Sequence, residues 1–347
     1  MTREWFLITG GSGFLGINLC RYLLQRGCAV RSMDIAPFDY PERAAVDVVT
    51  ADIRDAAAVE SAMTGVTHVV HCAAALPRCS ASEIRSTNVR GTQILLESMQ
   101  RHAVRRFIFI SSTAVYGIPD HHPIVEGDDL RGVGPYGESK ILAERDCVEY
   151  RRRNLCIPIL RPKTFVGPER LGAFELLYDW AYTGHHFPVL GSGENRYQLL
   201  DVEDLCEVIL RCINANAELV NDTFNVGAEE FGTLRDSFQA VLNHAGHGKH
   251  VVSLPLRPAK AALRLLELLH LSPLYKWIYE SAATESYVSI ERLKGIVGFT
   301  PHHSTEQALL RNYDWYVAHR HEFAGKSGLT HRLPWKAGAL RLAKHCF

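Results

Sequence analysis

The chain has 347 residues, with 38 basic and 38 acidic side chains, so its formal net charge is zero. This balance gives no indication that the chain binds nucleic acid through bulk charge. The sequence contains no run of 18 apolar residues, so no transmembrane helix is predicted. The nine cysteines are scattered without a C-x-x-C pair, and the paired histidines lie in predicted loops, so we expect a cytoplasmic protein without a metal site.

The first predicted element is a strand at residues 5–8, which begins too close to the first residue to leave room for a signal peptide. A glycine-rich turn and an apolar helical pattern follow it, as in the first half of a dinucleotide-binding βαβ unit. Gly10 permits the tight turn, Gly13 lets backbone approach a pyrophosphate, and Gly16 lets the helix pack closely on the strand. Five residues of this segment are predicted to contact the cofactor: Gly10, Gly13, Phe14, Leu15 and Gly16.

Asp34 lies at the end of the second predicted strand, 29–33, and 18 residues after Gly16. A carboxylate at this place accepts hydrogen bonds from the hydroxyl groups of the adenosine ribose and repels a 2′-phosphate, which favours NAD over NADP. The alternative interpretation is that Asp34 only caps a loop. Its position at the strand end favours cofactor binding.

Strands and helices continue to alternate as far as Pro162. This pattern predicts an α/β fold with a doubly wound parallel sheet, because its strands are continuous apolar runs covered on both faces. Further strands are predicted at 46–51, 68–71, 106–110 and 157–160, and helices at 56–63, 82–102 and 136–153. We expect an NAD-binding domain at 1–164, a mainly substrate-binding region at 165–325 with some elements returning to the first domain, and a basic amphipathic tail at 326–347.

Two segments carry the candidate catalytic groups. Tyr136 and Lys140 are four residues apart at the start of a predicted helix and therefore share one face. A nearby ammonium and a positively charged nicotinamide ring stabilise a phenolate, which makes Tyr136 a candidate base. The segment 111–117 follows the fifth strand, where a hydroxyl faces the crevice at the carboxyl edge of the sheet and can orient a substrate.

Together these motifs resemble an extended short-chain dehydrogenase/reductase of the NAD-dependent epimerase/dehydratase family. The resemblance covers roughly residues 5–317 and implies a Rossmann fold with NAD as cofactor. It implies that Tyr136 is the acid/base, that Ser112 is the hydroxyl partner with Thr113 as its substitute, and that Lys140 completes the set. It also implies further cofactor contacts at Asp52, Ile53, Ala73, Ala74 and Asn88, and it includes Arg161-Pro162 with Gly167-Pro168 and the segment 202–205.

Three departures from the family pattern limit which reactions of the family are expected here. Ser112 is followed by Thr113-Ala114 rather than by the Asp-Glu pair of the family's 4,6-dehydratases, so dehydration is not expected. Thr164 replaces the Asn that touches the diphosphate in sugar-nucleotide enzymes. Arg196 lies one residue earlier than in sugar epimerases, a variant that resembles the 3β-hydroxysteroid dehydrogenase-like branch. Thr113, Thr164 and Arg196 are the predicted substrate contacts, although a surface salt bridge is an equal alternative for Arg196.

The favoured hypothesis is an NAD-dependent epimerase that acts on a nucleotide-linked sugar through a transient ketone. The alternatives are a net dehydrogenase or reductase for a steroid-like or lipid-like alcohol, and a non-catalytic NAD-binding regulator, which would need no Ser-Tyr-Lys set. Amphipathic helices are predicted at 258–271 and 335–347. For both, packing on the protein itself or on a second subunit is favoured over contact with a membrane surface.

The resemblance also predicts a homodimer in which helices 82–102 and 136–153 of two copies form a four-helix interface. Light scattering at micromolar concentration should give twice the mass of the chain. A monomer mass under these conditions would contradict the predicted interface.

Overall fold

The computed structural model describes residues 4–268, 283–323, 344 and 347 of the chain. These residues form two compact units. The first contains residues 1–163, 202–227 and 288–300, and the second contains residues 164–201, 228–287 and 301–347. The assignment of NAD binding to the first unit and substrate binding to the second stays a prediction.

The first unit is built on seven parallel strands in the order β10-β6-β5-β4-β1-β2-β3, which confirms the predicted doubly wound sheet. The strands are β1 (Trp5–Thr9), β2 (Ala29–Asp34), β3 (Asp47–Thr50), β4 (His68–His71), β5 (Arg106–Ile110), β6 (Ile159–Pro162) and β10 (Thr223–Val226). The strand order reverses between β1 and β4. Ligands of such sheets bind beyond the carboxyl ends of the strands at this switch point.

Helices cover both faces of the sheet. They are α1 (Phe14–Leu24), α2 (Ala56–Met63), α3 (Ala81–Arg85), α4 (Thr92–Met99), α5 (Gly134–Arg151), α7 (Val202–Asn214), α8 (Ala217–Val220) and α11 (Glu291–Val297). Helices α2, α4 and α5 pack on one face over a core that includes Leu7, Val69 and Phe107, whereas α1 packs against α7.

Several elements differ from their predicted bounds. Helix α5 begins and ends two residues earlier than the predicted 136–153, and β3 is one residue shorter at each end than the predicted 46–51. The predicted helix 82–102 is divided by a π-helical stretch, Ser86–Gly91, between α3 and α4, and it ends at Met99. The π-helical stretch contains the buried Asn88, whose side chain bonds to the backbone of Ala75. The predicted strand 157–160 begins instead at Ile159, because the backbone of Ile157 bonds to the side chains of Asn221 and Arg151.

The second unit combines two short parallel strand pairs with helices. The pairs are β7 (Phe165–Val166) with β9 (Leu200–Asp201), and β8 (Phe187–Leu190) with β11 (Val251–Leu254). The helices are α6 (Phe174–Tyr182), α9 (Leu234–Ala245), α10 (Leu256–Leu268) and α12 (Thr305–His319). Helices α6, α9 and α12 pack around the fully buried Tyr178, whose hydroxyl accepts a hydrogen bond from Asn312 at 2.8 Å.

The structure describes one of the two predicted amphipathic helices and almost none of the other. The one at 258–271 corresponds to α10, which begins two residues earlier than predicted and is described as far as Leu268. The one at 335–347 lies outside the described residues except for Lys344 and Phe347. Within the part of the chain that the structure describes, every helix is too short or too polar to cross a bilayer.

A buried ion pair connects helix α5 to the carboxyl edge of the sheet. Arg161, at the end of β6, binds both carboxylate oxygens of Glu144 on α5, with an Nη2–Oε2 distance of 2.6 Å, and both side chains are about 95% buried. The same carboxylate accepts a hydrogen bond from Ser111 at 2.5 Å, directly after β5. Arg161 also donates to the hydroxyl of Tyr116, which in turn donates to Asn225 on β10.

We expect Glu144→Gln to lower the free energy of unfolding by about 3–5 kcal/mol, because it leaves the buried Arg161 guanidinium without its counter-charge. Glu149→Gln is the matched control on the same helix. Its exposed pair with Arg152 contributes about 0–1 kcal/mol. Urea unfolding of both variants, followed by circular dichroism, measures the difference. Equal stability of the two variants would show that the buried pair does not hold the sheet edge.

Candidate active site

The glycine-rich turn after β1 is shaped by backbone contacts that exclude side chains. Gly10 has a φ of +69°, and a Cβ atom at this position would lie 2.7 Å from the amide nitrogen of Ala73 after β4. Gly16 in α1 lies directly against the backbone of Gly10. Gly13 is the N-cap of α1 and has no side chain, so no side-chain cap stands between the start of this helix and a ligand. Such a turn fits a pyrophosphate group.

Asp34 faces this turn from the end of β2. One carboxylate oxygen accepts the amide N–H of Ser12 at 3.0 Å, and the other accepts that of Ala36 at 2.9 Å. The carboxylate therefore does cap the loop, as the alternative interpretation proposed. It is also half-exposed, and a carboxylate oxygen has two lone pairs, so a bond to one amide does not by itself prevent it from accepting a ribose hydroxyl.

Asp52 and Ile53 follow β3, and the side chain of each contacts another residue of the first unit. The carboxylate of Asp52 binds the guanidinium of Arg54 with a shortest distance of 2.5 Å, and the hydrogen bonds from Arg54 lower the pKa of Asp52. The side chain of Ile53 is buried against Gly91 at the end of the π-helical stretch. The contribution of both residues to an adenine site stays a prediction.

The segment after β4 is fixed by side chains from two elements, β1 and the π-helical stretch. The amide of Ala73 donates to the hydroxyl of Thr9 at 3.3 Å. Asn88 accepts the amide N–H of Ala75 at 2.7 Å and donates to the hydroxyl of Ser139 on α5 at 3.0 Å. Ala74 continues the same segment and is half-buried. Asn88 therefore holds this segment and helix α5 together, which suits a positioning function in the cofactor site.

His71 is a buried residue that begins the segment 71–74 of the family resemblance, but the sequence assigned no role to it. Its ring nitrogens lie 2.7 Å from the hydroxyl of Thr9 and 2.9 Å from that of Thr92. Burial and the nearby Lys140 lower the pKa of His71 to about 3, so the ring is neutral at physiological pH. The sequence signals were its place at the end of an apolar strand and in the segment 71–74, and neither indicated these hydrogen bonds.

The predicted catalytic residues lie on two segments whose backbones touch. Ser112 caps the 3-10 turn Thr113–Tyr116 by accepting the amide N–H of Ala114 at 3.1 Å, and both Ser112 and Thr113 are half-buried. A Cβ atom on Gly137 of α5 would lie 2.8 Å from the carbonyl oxygen of Ala114. The first turn of α5, which carries the half-buried Tyr136, therefore lies directly against the turn that Ser112 caps.

Lys140 points back to the sheet from the same helix. Its ammonium donates to the carbonyl oxygen of Ile110, the last residue of β5, at 2.9 Å. Burial lowers the pKa of Lys140 to about 8, which leaves the side chain mostly protonated at neutral pH. The positive charge is therefore fixed at the carboxyl end of β5, two residues before Ser112.

Thr164 and Arg196 belong to the second unit. Thr164 is exposed, and its carbonyl oxygen accepts the amide N–H of Leu200 at 3.1 Å. The guanidinium of Arg196 lies over the rings of Phe231 and Tyr287, with its carbon 4.6 and 4.5 Å from their centroids. Arg196 is thus held by two aromatic faces, an arrangement that neither the salt-bridge interpretation nor the motif suggested.

Both the sequence and the fold of this chain are similar to those of known proteins. Residues 6–227 match the sequence model of the NAD dependent epimerase/dehydratase family. An uncharacterized protein of Sinorhizobium fredii, y4nG, is 34% identical over 97% of this chain and 84% of its own length. A 3 beta-hydroxysteroid dehydrogenase/Delta 5→4-isomerase of Mycobacterium tuberculosis is 27% identical over 90% of both chains.

The fold is shared with a UDP-glucose 4-epimerase of Thermotoga maritima, whose crystal structure contains UDP-glucose. It aligns with a TM-score of 0.75 and 21% identity, over 91% of this chain and 99% of that one.

The position of Asp34 predicts that NAD(H) binds at least about tenfold more tightly than NADP(H). A 2′-phosphate about 4 Å from the carboxylate would be repelled by about 4 kcal/mol at an effective dielectric constant of about 20. Calorimetric titration of both cofactors measures this preference. Asp34→Asn should narrow it, whereas Asp39→Asn, at an exposed acid in the same connection, should leave it unchanged. A preference for NADP would show that Asp34 does not face the ribose.

Proposed function

This chain belongs to the NAD-dependent epimerase/dehydratase family and is an NAD-dependent enzyme of the extended short-chain dehydrogenase/reductase type, and we propose that it epimerises a nucleotide-linked sugar. The observation that carries the proposal is the close contact between the turn capped by Ser112 and the helix that presents Tyr136 and Lys140. This contact brings the segments that carry Ser112, Tyr136 and Lys140 together beyond β5, which supports the assignment of a hydroxyl, a phenol and an ammonium to one site.

Each of the three residues has a distinct task in the proposed mechanism. NAD, when bound, supplies reversible hydride transfer at a substrate carbinol. The phenolate oxygen of Tyr136 accepts the proton of the substrate hydroxyl, and the ammonium of Lys140 stabilises the phenolate. The hydroxyl of Ser112 donates a hydrogen bond that orients the substrate oxygen. Tyr136 returns the proton when the ketone is reduced on its other face, so no cofactor is consumed.

The sequence of the capped turn favours epimerisation over dehydration. Elimination of water needs a second acid/base pair near the hydroxyl that leaves the sugar. Ser112 is followed by Thr113 and Ala114, neither of which can supply or accept a proton as a carboxylate does. A mechanism confined to proton and hydride transfer at one carbinol requires only Ser112, Tyr136 and Lys140.

Arg196 supports a nucleotide diphosphate as the recognition group of the substrate. The guanidinium packs against the adjoining rings of Phe231 and Tyr287, whose centroids are 5.3 Å apart, so the aromatic contact orients this planar group as a hydrogen-bond donor. A planar fork of N–H donors matches two phosphate oxygens at once. We therefore assign the diphosphate to Arg196 of the second unit, with Thr164 as a further candidate contact.

A second candidate function is net oxidation or reduction of a hydrophobic alcohol or ketone. The 27% identity with the mycobacterial 3 beta-hydroxysteroid dehydrogenase over 90% of both chains favours it. The same Ser112, Tyr136 and Lys140 would serve this reaction. The two functions differ in the fate of the cofactor, because net oxidation forms one NADH for each product molecule.

This difference defines the experiment that tests the proposal. The purified protein is incubated with NAD and a panel of UDP-, GDP- and dTDP-sugars, and in parallel with hydroxysteroids and long-chain alcohols. Epimerisation should convert one nucleotide sugar into its epimer with trace NAD and without accumulation of NADH. Stoichiometric NADH formation with a hydrophobic alcohol, and no conversion of any nucleotide sugar, would favour the second candidate.

Tyr136→Phe should lower turnover by about 10²–10⁴-fold while NAD binding stays nearly intact, because only the group that transfers the proton is lost. Tyr150→Phe makes the same change farther along α5 and should retain activity. Turnover on the substrate found by the panel and calorimetric NAD affinity are the two measurements. Activity of Tyr136→Phe near that of the unmodified protein would remove Tyr136 from the mechanism.

A further inference from the structure

A continuous chain of hydrogen bonds passes through the buried ring of His71 in the first unit. The ring lies beside those of Phe107 and Phe109, with centroid distances of 5.8 and 5.7 Å. Thr9, the last residue of β1, contacts its Nδ1, and Thr92, the first residue of α4, contacts its Nε2. The imidazole therefore joins the strand that precedes the glycine-rich turn to the helix that follows the π-helical stretch.

The direction of each hydrogen bond in this chain follows from the hydroxyl of Thr92. This hydroxyl has a single hydrogen, which it donates to the carbonyl oxygen of Asn88 at 2.7 Å, so it can only accept from His71. Nε2 of His71 therefore carries the ring hydrogen. A neutral imidazole has one N–H, which leaves Nδ1 as the acceptor of the hydroxyl hydrogen of Thr9. The oxygen of Thr9 in turn accepts the amide N–H of Ala73.

One end of the chain of hydrogen bonds holds the glycine-rich turn. Thr9 directly precedes Gly10 in the sequence, and its side chain binds the amide of Ala73. That amide nitrogen is also the atom that a Cβ on Gly10 would meet at 2.7 Å. Through Thr9, His71 therefore fixes the approach of two segments that are predicted to contact NAD.

The other end of the chain of hydrogen bonds reaches the helix that carries the candidate base. Thr92 donates to the backbone of Asn88, and the side chain of Asn88 donates to the hydroxyl of Ser139 on α5. Asn88 and Ser139 are both buried. The hydroxyl of Ser139 donates to the carbonyl oxygen of Tyr136 at 2.7 Å. The hydrogen bonds that pass through His71 thus extend to the first turn of α5.

We propose that His71 is a positioning residue that holds the glycine-rich turn, the segment after β4 and the first turn of α5 in the arrangement that binds NAD beside Tyr136. The ring is 1% exposed, so it acts through Thr9 and Thr92 rather than on the cofactor itself. The part of this inference that concerns Tyr136 rests on the function proposed above. The part that concerns NAD requires only the cofactor of the family.

The chemistry of a neutral imidazole suits this position. Lys140 is close enough to lower the pKa of His71, so a cationic side chain at position 71 would bring two like charges together in a buried region. A phenyl ring would fit beside the two phenylalanines, but it can neither donate to Thr92 nor accept from Thr9. The imidazole ring does both, and its rigidity fixes the separation of its two partners.

Variants of the full chain test the proposal by calorimetric titration with NAD. His71→Phe keeps an aromatic ring beside Phe107 and Phe109 and removes both hydrogen bonds. It should raise the Kd for NAD at least about tenfold, because buried hydroxyls lose their partner and Ala73 loses its fixed position. Thr92→Val should weaken NAD binding in the same direction. Thr92→Ser, which keeps the hydroxyl, should bind NAD like the unmodified protein.

His68→Phe is the matched control for a general loss of stability. His68 is a buried ring at the opposite end of β4, where it stacks on Phe6 with a centroid distance of 5.0 Å. The NAD affinity of this variant should equal that of the unmodified protein. The thermal unfolding midpoint of every variant verifies that the protein is folded. An equal loss of NAD affinity in His68→Phe and His71→Phe would attribute the effect to stability and overturn the proposal.

NMR spectroscopy of the nitrogen-labelled protein without cofactor supplies a second test. The chemical shifts of imidazole nitrogens distinguish a protonated nitrogen from a bare one, and the His71→Phe variant identifies the signals of His71. At neutral pH the unmodified protein should show a protonated Nε2 and a bare Nδ1. A merely space-filling ring would not require this tautomer.

Three further results would overturn the proposal. The first is an unchanged NAD affinity of the folded His71→Phe variant. The second is equal NAD affinity of Thr92→Val and Thr92→Ser, which would assign no function to the hydroxyl. The third is a His71 ring that is charged at neutral pH or carries its hydrogen on Nδ1. None of these measurements uses a sugar substrate, so failure of the substrate panel would count against the proposed function and leave this inference standing.

Discussion

The buried ion pair between Glu144 and Arg161 is the interaction on which the candidate active site depends. It joins the middle of helix α5 to the end of β6, and through Ser111 it reaches the residue next to Ser112. Tyr136 and Lys140 lie on the same helix one to two turns earlier. A paired charge inside the protein tolerates little displacement, because any separation leaves a desolvated ion without its partner. The pair therefore fixes the helix and the capped turn relative to each other.

Backbone contacts complete this arrangement where side chains would obstruct it. Gly137 lets the first turn of α5 touch the carbonyl oxygen of Ala114, and Gly10 lets the glycine-rich turn approach the segment after β4. Asn88 links that segment to α5 through Ser139. The predicted cofactor residues and the predicted catalytic residues of the first unit are thus connected through one network of backbone contacts and hydrogen bonds. Rigid placement of this kind is what proton and hydride transfer require.

Local rules of sequence predict much of this framework. The β1–turn–α1 segment with Asp34, the strands at 68–71 and 106–110 and the helix at 56–63 follow from apolar periodicity and glycine placement, because the groups involved are close in sequence. The ion pair is different. Glu144 and Arg161 are charged residues 17 positions apart on separate elements, and only the three-dimensional packing of α5 on the sheet buries them together. The spacing of apolar residues therefore does not predict this ion pair.

Sequence patterns do not show contacts between residues on separate elements, and this also explains the other features that the sequence did not predict. Arg196 meets Phe231 and Tyr287 across 35 and 91 positions of sequence, so its aromatic environment could not be predicted from the motif that contains it. The π-helical stretch at Ser86–Gly91 reflects the bonds that Asn88 makes to Ala75, which helical periodicity does not encode. The sequence pattern of α10 likewise did not show that Leu263 is buried whereas Leu265 and Leu268 are mostly exposed, because this depends on how the helix packs.

A crystal structure of this protein with NAD bound tests the central claim most directly. The account predicts that the pyrophosphate lies on the first turn of α1, that Asp34 accepts a hydrogen bond from the adenosine ribose, and that the nicotinamide ribose contacts Tyr136 and Lys140. The reactive face of the nicotinamide should then lie beside Ser112. A cofactor whose nicotinamide end lies away from Ser112 and Tyr136 would contradict the account.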